Sequence, residues 1–341
     1  MAGTEDAFMH AGIYGRGAPD ASVRAAKRML GAAGIRSSPV HRRPGSGGLD
    51  CVIVLGGDRG VRSYFRGAAD PGVPVLGVSE AESGGFLAQI DLKELPAYAA
   101  RLRGGDYIVE ELPRLGVRTD GGAVRPVLND VAVFPSKSAM LMEHTLRIDG
   151  EEVWHDSSDG IMVSTPLGSS AYSMSVGGPV IFPGAPVFEV ISVNSLDVTR
   201  RPLIVSGGSS IEIEEISSRL HCEVILDGTD RYSIGGTVSC ARFDPPARII
   251  KMRGDSTAIS ALAKKVRLAE DLLKMPPSSK LILKTLEYEG RLSQKELASK
   301  TLLPDRTVRL ALSHLLDRGH VKRKISARDA RQKIYEIAHV G

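Results

Sequence analysis

The sequence predicts an open α/β domain over residues 1–105, a β-rich domain over 106–274 and, after a linker at 275–279, a small helical domain over 280–341. Three observations predict this order. Apolar runs alternate with helical spacing up to about residue 95, as strands with crossover helices do. Many short strands with glycine turns and almost no helical period follow between Tyr107 and Phe243. The charge then changes sign. From Met275 onward 14 Lys plus Arg stand against 7 Asp plus Glu, a balance of +7; since the whole chain carries +4, residues 1–274 carry −3.

Phe8 to Tyr14 reads as a short strand, and Ala21 to Ala33 has helical spacing with Gly34 as its stop. Asp50 to Leu55 is a β-branched run ending at Gly56-Gly57, which suits a buried parallel strand, and Val73 to Val78 repeats it. Ligands of such sheets bind beyond the carboxyl ends of the strands. The β-rich texture comprises Val131 to Phe134, Leu146 to Ile148, Gly160 to Ser164, Val187 to Val193, Leu203 to Val205, Ser210 to Ile213 and Val224 to Leu226. Ala258 to Lys274 returns to helix, and Met275 to Ser279 is a stiff, polar linker.

Length and composition fit a soluble protein of two or three domains: 341 residues, 42% hydrophobic and 25% charged. No apolar stretch is long enough to span a membrane, and Met1 to Ala7 lacks a signal-peptide pattern. Cys51, Cys222 and Cys240 have neither disulfide nor metal-ligand spacing and read as small buried hydrophobes, so a cytoplasmic location is expected.

Three stretches carry chemistry. Leu55-Gly-Gly-Asp-Arg-Gly60 follows a buried strand; its glycines let backbone approach a phosphate or ribose, and its aspartate can accept a hydroxyl proton, although Gly-Gly-Asp also serves as a plain turn. Leu128-Asn-Asp130 sets an amide beside a carboxylate, a pair able to grip both hydroxyls of a ribose or simply to make a turn. Asp159 to Pro179 combines glycines, five Ser and a Tyr in a single run, giving backbone against which a planar base can lie.

In order and spacing these stretches resemble the NAD kinase family over nearly all of residues 8–274. The matching segments are Gly56-Gly57-Asp58, Gly72 to Gly77 with Gly85-Phe-Leu87, Leu128-Asn-Asp130, the run from Asp159, Asn194-Ser-Leu196 with Arg201-Pro-Leu203, and Asp227-Gly228. The resemblance implies an NAD kinase-like two-domain core with a nucleotide cleft. It implies transfer of a phosphoryl group from ATP, or from a donor such as polyphosphate, to the 2′-hydroxyl of the adenosine ribose of NAD. A divalent metal, Mg2+, and a homodimer or homotetramer are implied too, with no dedicated set of protein metal ligands. By position, Asp58 resembles the catalytic carboxylate, which also contacts the dinucleotide, and Phe86 an aromatic that borders it. Asn129 and Asp130 resemble the dinucleotide-binding pair. Asp159 with Ser170, Ala171, Tyr172, Ser173 and Ser175 resembles the adenine and nicotinamide platform. Arg59 departs from the family, which has glycine there, and either clamps a donor phosphate or blocks its approach. Leu167 replaces a Thr, and Asn194 stands where many members have His.

In the tail, Lys280 to Glu289 is an amphipathic helix, Ser293-Gln-Lys-Glu296 a capping box and Arg306 to Arg318 a third helix. Val308, Ala311, Leu312, Leu315 and Leu316 form that helix's apolar stripe, with Arg306, Arg309 and Ser313 opposite. Lys322-Arg-Lys324 and Gln332 to Ile337 read as strands around a basic hairpin. The order resembles a winged helix-turn-helix, which implies double-stranded DNA as partner through residues 280–341, contacted by Arg306, Arg309, Ser313, Lys322 and Lys324, or else a dimerisation module. Two rivals to an NAD kinase with a regulatory tail stay open: a regulator that senses NAD or NADP on a disabled kinase fold, and a kinase for another hydroxyl acceptor.

Overall fold

The structure is a computed structural model that describes residues 9–40, 48–67, 72–80, 85–137, 140–254, 263, 274–325 and 333–337, without the side chains of 287–289 and 325. The described residues form two compact units, one up to residue 254 and the other from 274.

The larger unit begins as the α/β alternation predicts. Parallel strands β1 (His10–Tyr14), β2 (Arg36–Pro39), β3 (Cys51–Leu55), β4 (Val75–Ser79) and β5 (Ala88–Asp91) lie in the order β2-β1-β3-β4-β5. Helix α1 (Asp20–Ala32) joins β1 to β2, α2 (Gly57–Gly67) joins β3 to β4, and α3 (Leu95–Arg103) follows β5. Every residue of β3 and β4 is buried, which is why both read as unbroken apolar runs.

The sheet does not stop at residue 105. β6 (Tyr107–Thr119) and β17 (Val238–Met252) pair antiparallel from Thr119↔Val238 to Tyr107↔Met252, and Ile249 of β17 pairs in parallel with Val75 of β4. With β7 (Arg125–Val127), β9 (Met142–Ile148), β10 (Glu151–Ser158) and β14 (Ile211–Ser218) this makes one 11-stranded sheet. The two longest strands are absent from the sequence reading because Pro113, Pro245 and Pro246 punctuate them. At Phe243 to Ala247 the ladder shifts register and absorbs Pro245 and Pro246.

A second, six-stranded antiparallel sheet runs β13-β12-β11-β8-β15-β16: β8 (Asp130–Pro135), β11 (Gly160–Ser164), β12 (Val187–Val193), β13 (Leu203–Ser206), β15 (Cys222–Leu226) and β16 (Asp230–Ile234). Alternate residues such as Val131, Val133, Phe188 and Val224 face the large sheet and pack on Leu115, Leu146, Ile213 and Val238. The opposite face presents Ala132, Met162, Ile191 and Val193, covered by Tyr172 and Val176 from the 165–178 segment and its short helix α4 (Tyr172–Ser175).

All three cysteines are buried, and burial pushes the Cys51 and Cys240 thiols up to about 12. Most of the helix expected over Ala258 to Lys274 lies outside the described residues.

The smaller unit holds α5 (Pro277–Glu289), β18 (Leu292–Ser293), α6 (Gln294–Thr301), α7 (Asp305–Asp317), β19 (Val321–Ile325) and β20 (Lys333–Ile337), its strands ordered β18-β20-β19. The capping box is formed: Ser293 Oγ accepts from the Glu296 amide, and the Glu296 carboxylate accepts from the Ser293 amide at 2.7 Å. Residues 275–279 are not a free linker. Proline at a first helical position costs no hydrogen bond, so α5 starts at Pro277, and Met275 is buried in the core with Ile282 and Leu312.

Candidate active site

Asp58 stands in the first turn of α2, delivered there by the Gly56-Gly57 turn at the end of β3. Its carboxylate closes the start of β5: Oδ2 accepts from the Phe86 amide at 3.0 Å, and Oδ1 accepts from the Leu87 and Ala88 amides at 3.0 and 2.9 Å. A carboxylate has about four acceptor positions, so Oδ2 keeps room for one more donor. Gly85 is required at the approach to this loop, because a Cβ there would lie 1.9 Å from Asp58 Oδ1. Phe86 lines a small cavity together with Leu112, Leu167 and Pro183, which brings this loop to the start of the 165–178 segment.

Buried Arg114 on β6 donates to the Phe65 carbonyl at 2.6 Å and fixes the far end of α2. There Arg66 bridges Asp230 at 3.1 Å and Asp227 at 3.5 Å. The Asp227 side chain is fully buried and accepts from the amides of Asn129 at 2.7 Å and Leu128 at 3.1 Å. Burial pushes its carboxyl up, against the Asn129 amide, the Arg62 and Arg66 charges and the Leu128 amide, which pull it down.

Asn129 is thereby held on both sides of its backbone. Its carbonyl accepts from the Thr165 amide at 2.8 Å and from Thr165 Oγ1 at 3.1 Å. Its side-chain Oδ1 is buried and has no protein partner among the described residues. A buried acceptor left bare costs about 1–3 kcal/mol, so it is the atom of this site most in want of a ligand donor. Asp130, also buried, opens β8 opposite Ser164.

Asp159 lies at the other end of β11, five residues and roughly 17 Å along the strand from the Asn129–Asp130 corner. Asn194, in a left-handed turn after β12, donates from Nδ2 to Asp159 Oδ2 at 2.8 Å. Tyr172 reaches toward the same end, its ring 6.0 Å from that of Phe134. The ten sequence-predicted residues thus fall into two groups. Asp58, Phe86, Asn129 and Asp130 gather around α2, while Asp159 and Tyr172 stand at the far end of the small sheet. Ser170 and Ala171 lie on the stretch that crosses between them, half-buried, and Ser175 is exposed. Ser173 instead points inward, donating to Glu189 Oε2 at 2.5 Å.

The ATP-NAD kinase N-terminal domain model matches residues 24–107 and the ATP-NAD kinase C-terminal domain model matches 128–242. The NAD kinase of Methanopyrus kandleri is 34% identical over 203 residues, 60% of this chain and 73% of the relative. The chain belongs to the NAD kinase family. That of Heliobacterium modesticaldum is 34% identical over 227 residues, covering 64% and 79%. Among solved structures, an Archaeoglobus fulgidus NAD kinase in complex with ATP shares the fold at TM-score 0.63 and 23% identity, covering 76% of this chain and 99% of that one. Yeast NADH kinase complexed with NADH does so at 0.63 and 18%, covering 77% and 87%.

Within that family fold, Arg59 is exposed beside Asp58 and makes no hydrogen bond or ion pair among the described residues. The sequence reading missed the parts that hold the site. Arg66 lies two turns after Asp58 on α2. Thr165 sits inside the Asp159 to Pro179 run, and Glu189 is a lone acid within the apolar run Val187–Val193. That last break in pattern is the signal that could have found it.

Proposed function

We propose that this chain is an NAD kinase, transferring a phosphoryl group from ATP to the 2′-hydroxyl of the adenosine ribose of NAD to make NADP. The observation that carries the reading is that α2 opens with Asp58, with acceptor capacity left on Oδ2, and through Arg66 and Asp227 at its other end holds Asn129, whose Oδ1 is buried without a protein partner among the described residues. Asp58 accepts the hydroxyl proton or orients the hydroxyl for in-line attack, while Asn129 and Asp130 grip the ribose. Positioning is most of what phosphoryl transfer asks of a protein.

Among the described residues no cluster of His, Cys, Asp or Glu is placed to cage a metal. Mg2+ at a phosphoryl-transfer site is held mainly by phosphate and water, and Asp58 is the protein carboxylate at hand. When bound, the ion neutralises charge on the transferring phosphate. A coupled assay for NADP formation with NAD and ATP, and with polyphosphate in a separate arm, tests the reading; no NADP with either donor overturns it.

We further propose a homo-oligomer. Asp159 is remote from Asn129 within one chain, and beside its partner Asn194 the loop exposes Leu196 and Val198 by 65% and 85%. Sedimentation would test it. The smaller unit we read as a winged helix-turn-helix that binds duplex DNA. Arg306 and Arg309 are exposed on α7 and make no ion pair among the described residues, as groups reserved for phosphate or a base edge would be. Lys324, in contrast, pairs with Glu336, so Lys322 is the freer contact of the hairpin. Fluorescence anisotropy of the full chain on duplex DNA over a salt series is the test. An absence of binding at about 50 mM salt would leave this unit as an assembly module. A nucleotide-dependent DNA affinity would favour the sensing rival.

A further inference from the structure

Glu189 sits in the middle of β12, fully buried, opposite Ser164 of β11 and Ile204 of β13. Ser173 Oγ donates to its Oε2 at 2.5 Å, and its Oε1 is buried with no protein partner among the described residues. Gly178 closes over the pair. Its amide donates to the Ser173 carbonyl at 3.0 Å, and a Cβ there would lie 2.2 Å from Ser173 Oγ and 2.6 Å from Glu189 Oε1. Among the described residues no cation reaches this carboxyl. The neighbouring strands β11 and β13 carry no titratable side chain, β12 carries no other, and α4 carries only the Tyr172 phenol. A buried carboxylate without a countercharge is so costly that the neutral acid is favoured.

We propose that Glu189 is a positioning residue: kept neutral beneath the Ser170–Ser175 segment, it fixes Ser173 and Gly178 and so shapes the surface on which the dinucleotide lies. The proposal rests on the NAD-binding reading above. Burial pushes the carboxyl up to about 7, with the Ser173 hydroxyl pulling the other way. The sign follows. A raised carboxyl favours the protonated folded state, so its linked stability is full below the ordinary value of 4.5 and is lost as pH rises from there to about 7. Above about 7 the folded chain carries a bare charge under the segment, and the dinucleotide surface loosens.

The test is steady-state kinetics of the full chain at saturating ATP between about pH 6 and about pH 8, a span that covers the titration of one such group. In the wild type, KM for NAD should rise roughly three- to tenfold from neutrality to the upper end, with kcat much less affected. Glu189→Gln, which cannot ionise, should abolish that rise. Gly178→Ala, which pushes Ser173 and Glu189 apart, should raise KM at every pH. A wild-type KM that is flat with pH, or a rise that persists unchanged in Glu189→Gln, overturns the proposal. Should Glu189→Gln fail to fold, the wild-type profile and Gly178→Ala decide it. Should no NADP form at all, calorimetric NAD affinity supplies the same profile. Binding that ignores pH then defeats the role of Glu189, whereas absence of any NAD binding defeats the reading on which it rests and the proposal with it.

Discussion

The two ends of the small sheet are finished differently. At the Asn129 end the chain ties down its own backbone: Asp227 holds the amides, Thr165 holds the carbonyl, and the acceptor left bare is Asn129 Oδ1. At the Asp159 end the carboxylate is held by Asn194 on a turn that leads straight into exposed apolar residues. One end is completed by folding alone. The other is stocked with polar groups but open to whatever covers it. Stability and ligand affinity should therefore respond to different residues.

The largest effect expected is on stability, at the closed end. Arg66→Ala would leave the buried Asp227 carboxylate with Arg62 as its main remaining countercharge, and breaking such a pair costs about 3–5 kcal/mol. Chemical denaturation should register a loss toward the lower figure; a change under about 1 kcal/mol would mean that Asp227 does not depend on Arg66. Next is Asp58→Asn, expected to lower kcat about 100-fold or more, the scale of a lost general base. Because an Asn amide would then face one of the backbone amides of Phe86 to Ala88, some loss of thermal stability should accompany it. Unchanged turnover would remove Asp58 from the chemistry.

Asn129→Ala should weaken NAD by about 1–3 kcal/mol in calorimetry, independently of protein concentration. Asp159→Asn should weaken it less, and in a manner that varies with protein concentration if a second copy covers that end. Equal, concentration-independent losses at both positions would erase the contrast between the ends. The smallest effect expected is that of Arg59→Gly. Removing this exposed cation, unpaired among the described residues, should raise KM for ATP and spare KM for NAD. A gain in turnover would instead identify Arg59 as an obstruction, and identical constants would make it a bystander.

Much of this was legible in the residues. The strands Gly160–Ser164 and Val187–Val193 are found where their apolar patterns put them, and the Ser293 capping box forms as its spacing predicts. Asp58, Asn129 and Asp159 stood out because glycine turns and polar pairs interrupt apolar runs. What stayed hidden has a common cause. Arg66, Thr165 and Glu189 act through residues far away in sequence, and no local pattern records that Glu189 will meet Ser173 or that Arg66 will meet Asp227. β6 and β17 were missed because proline marks strand ends in local reasoning, whereas here a register shift lets the ladder continue across it. Ser173 was placed correctly on its segment, but only the fold reveals that its hydroxyl turns inward.

The long partnership of β6 with β17 has a consequence for how the chain is assembled. Strands separated by more than a hundred residues close the sheet, and Ile250 and Met252 of the later strand complete the core begun by β1 and β3. A chain released after residue 105 would leave the Val75 end of β4 without its β17 partner and carry a core lacking two of its apolar members. Nascent chains are therefore vulnerable to strand-to-strand association until β17, which ends at Met252 of 341 residues, has emerged.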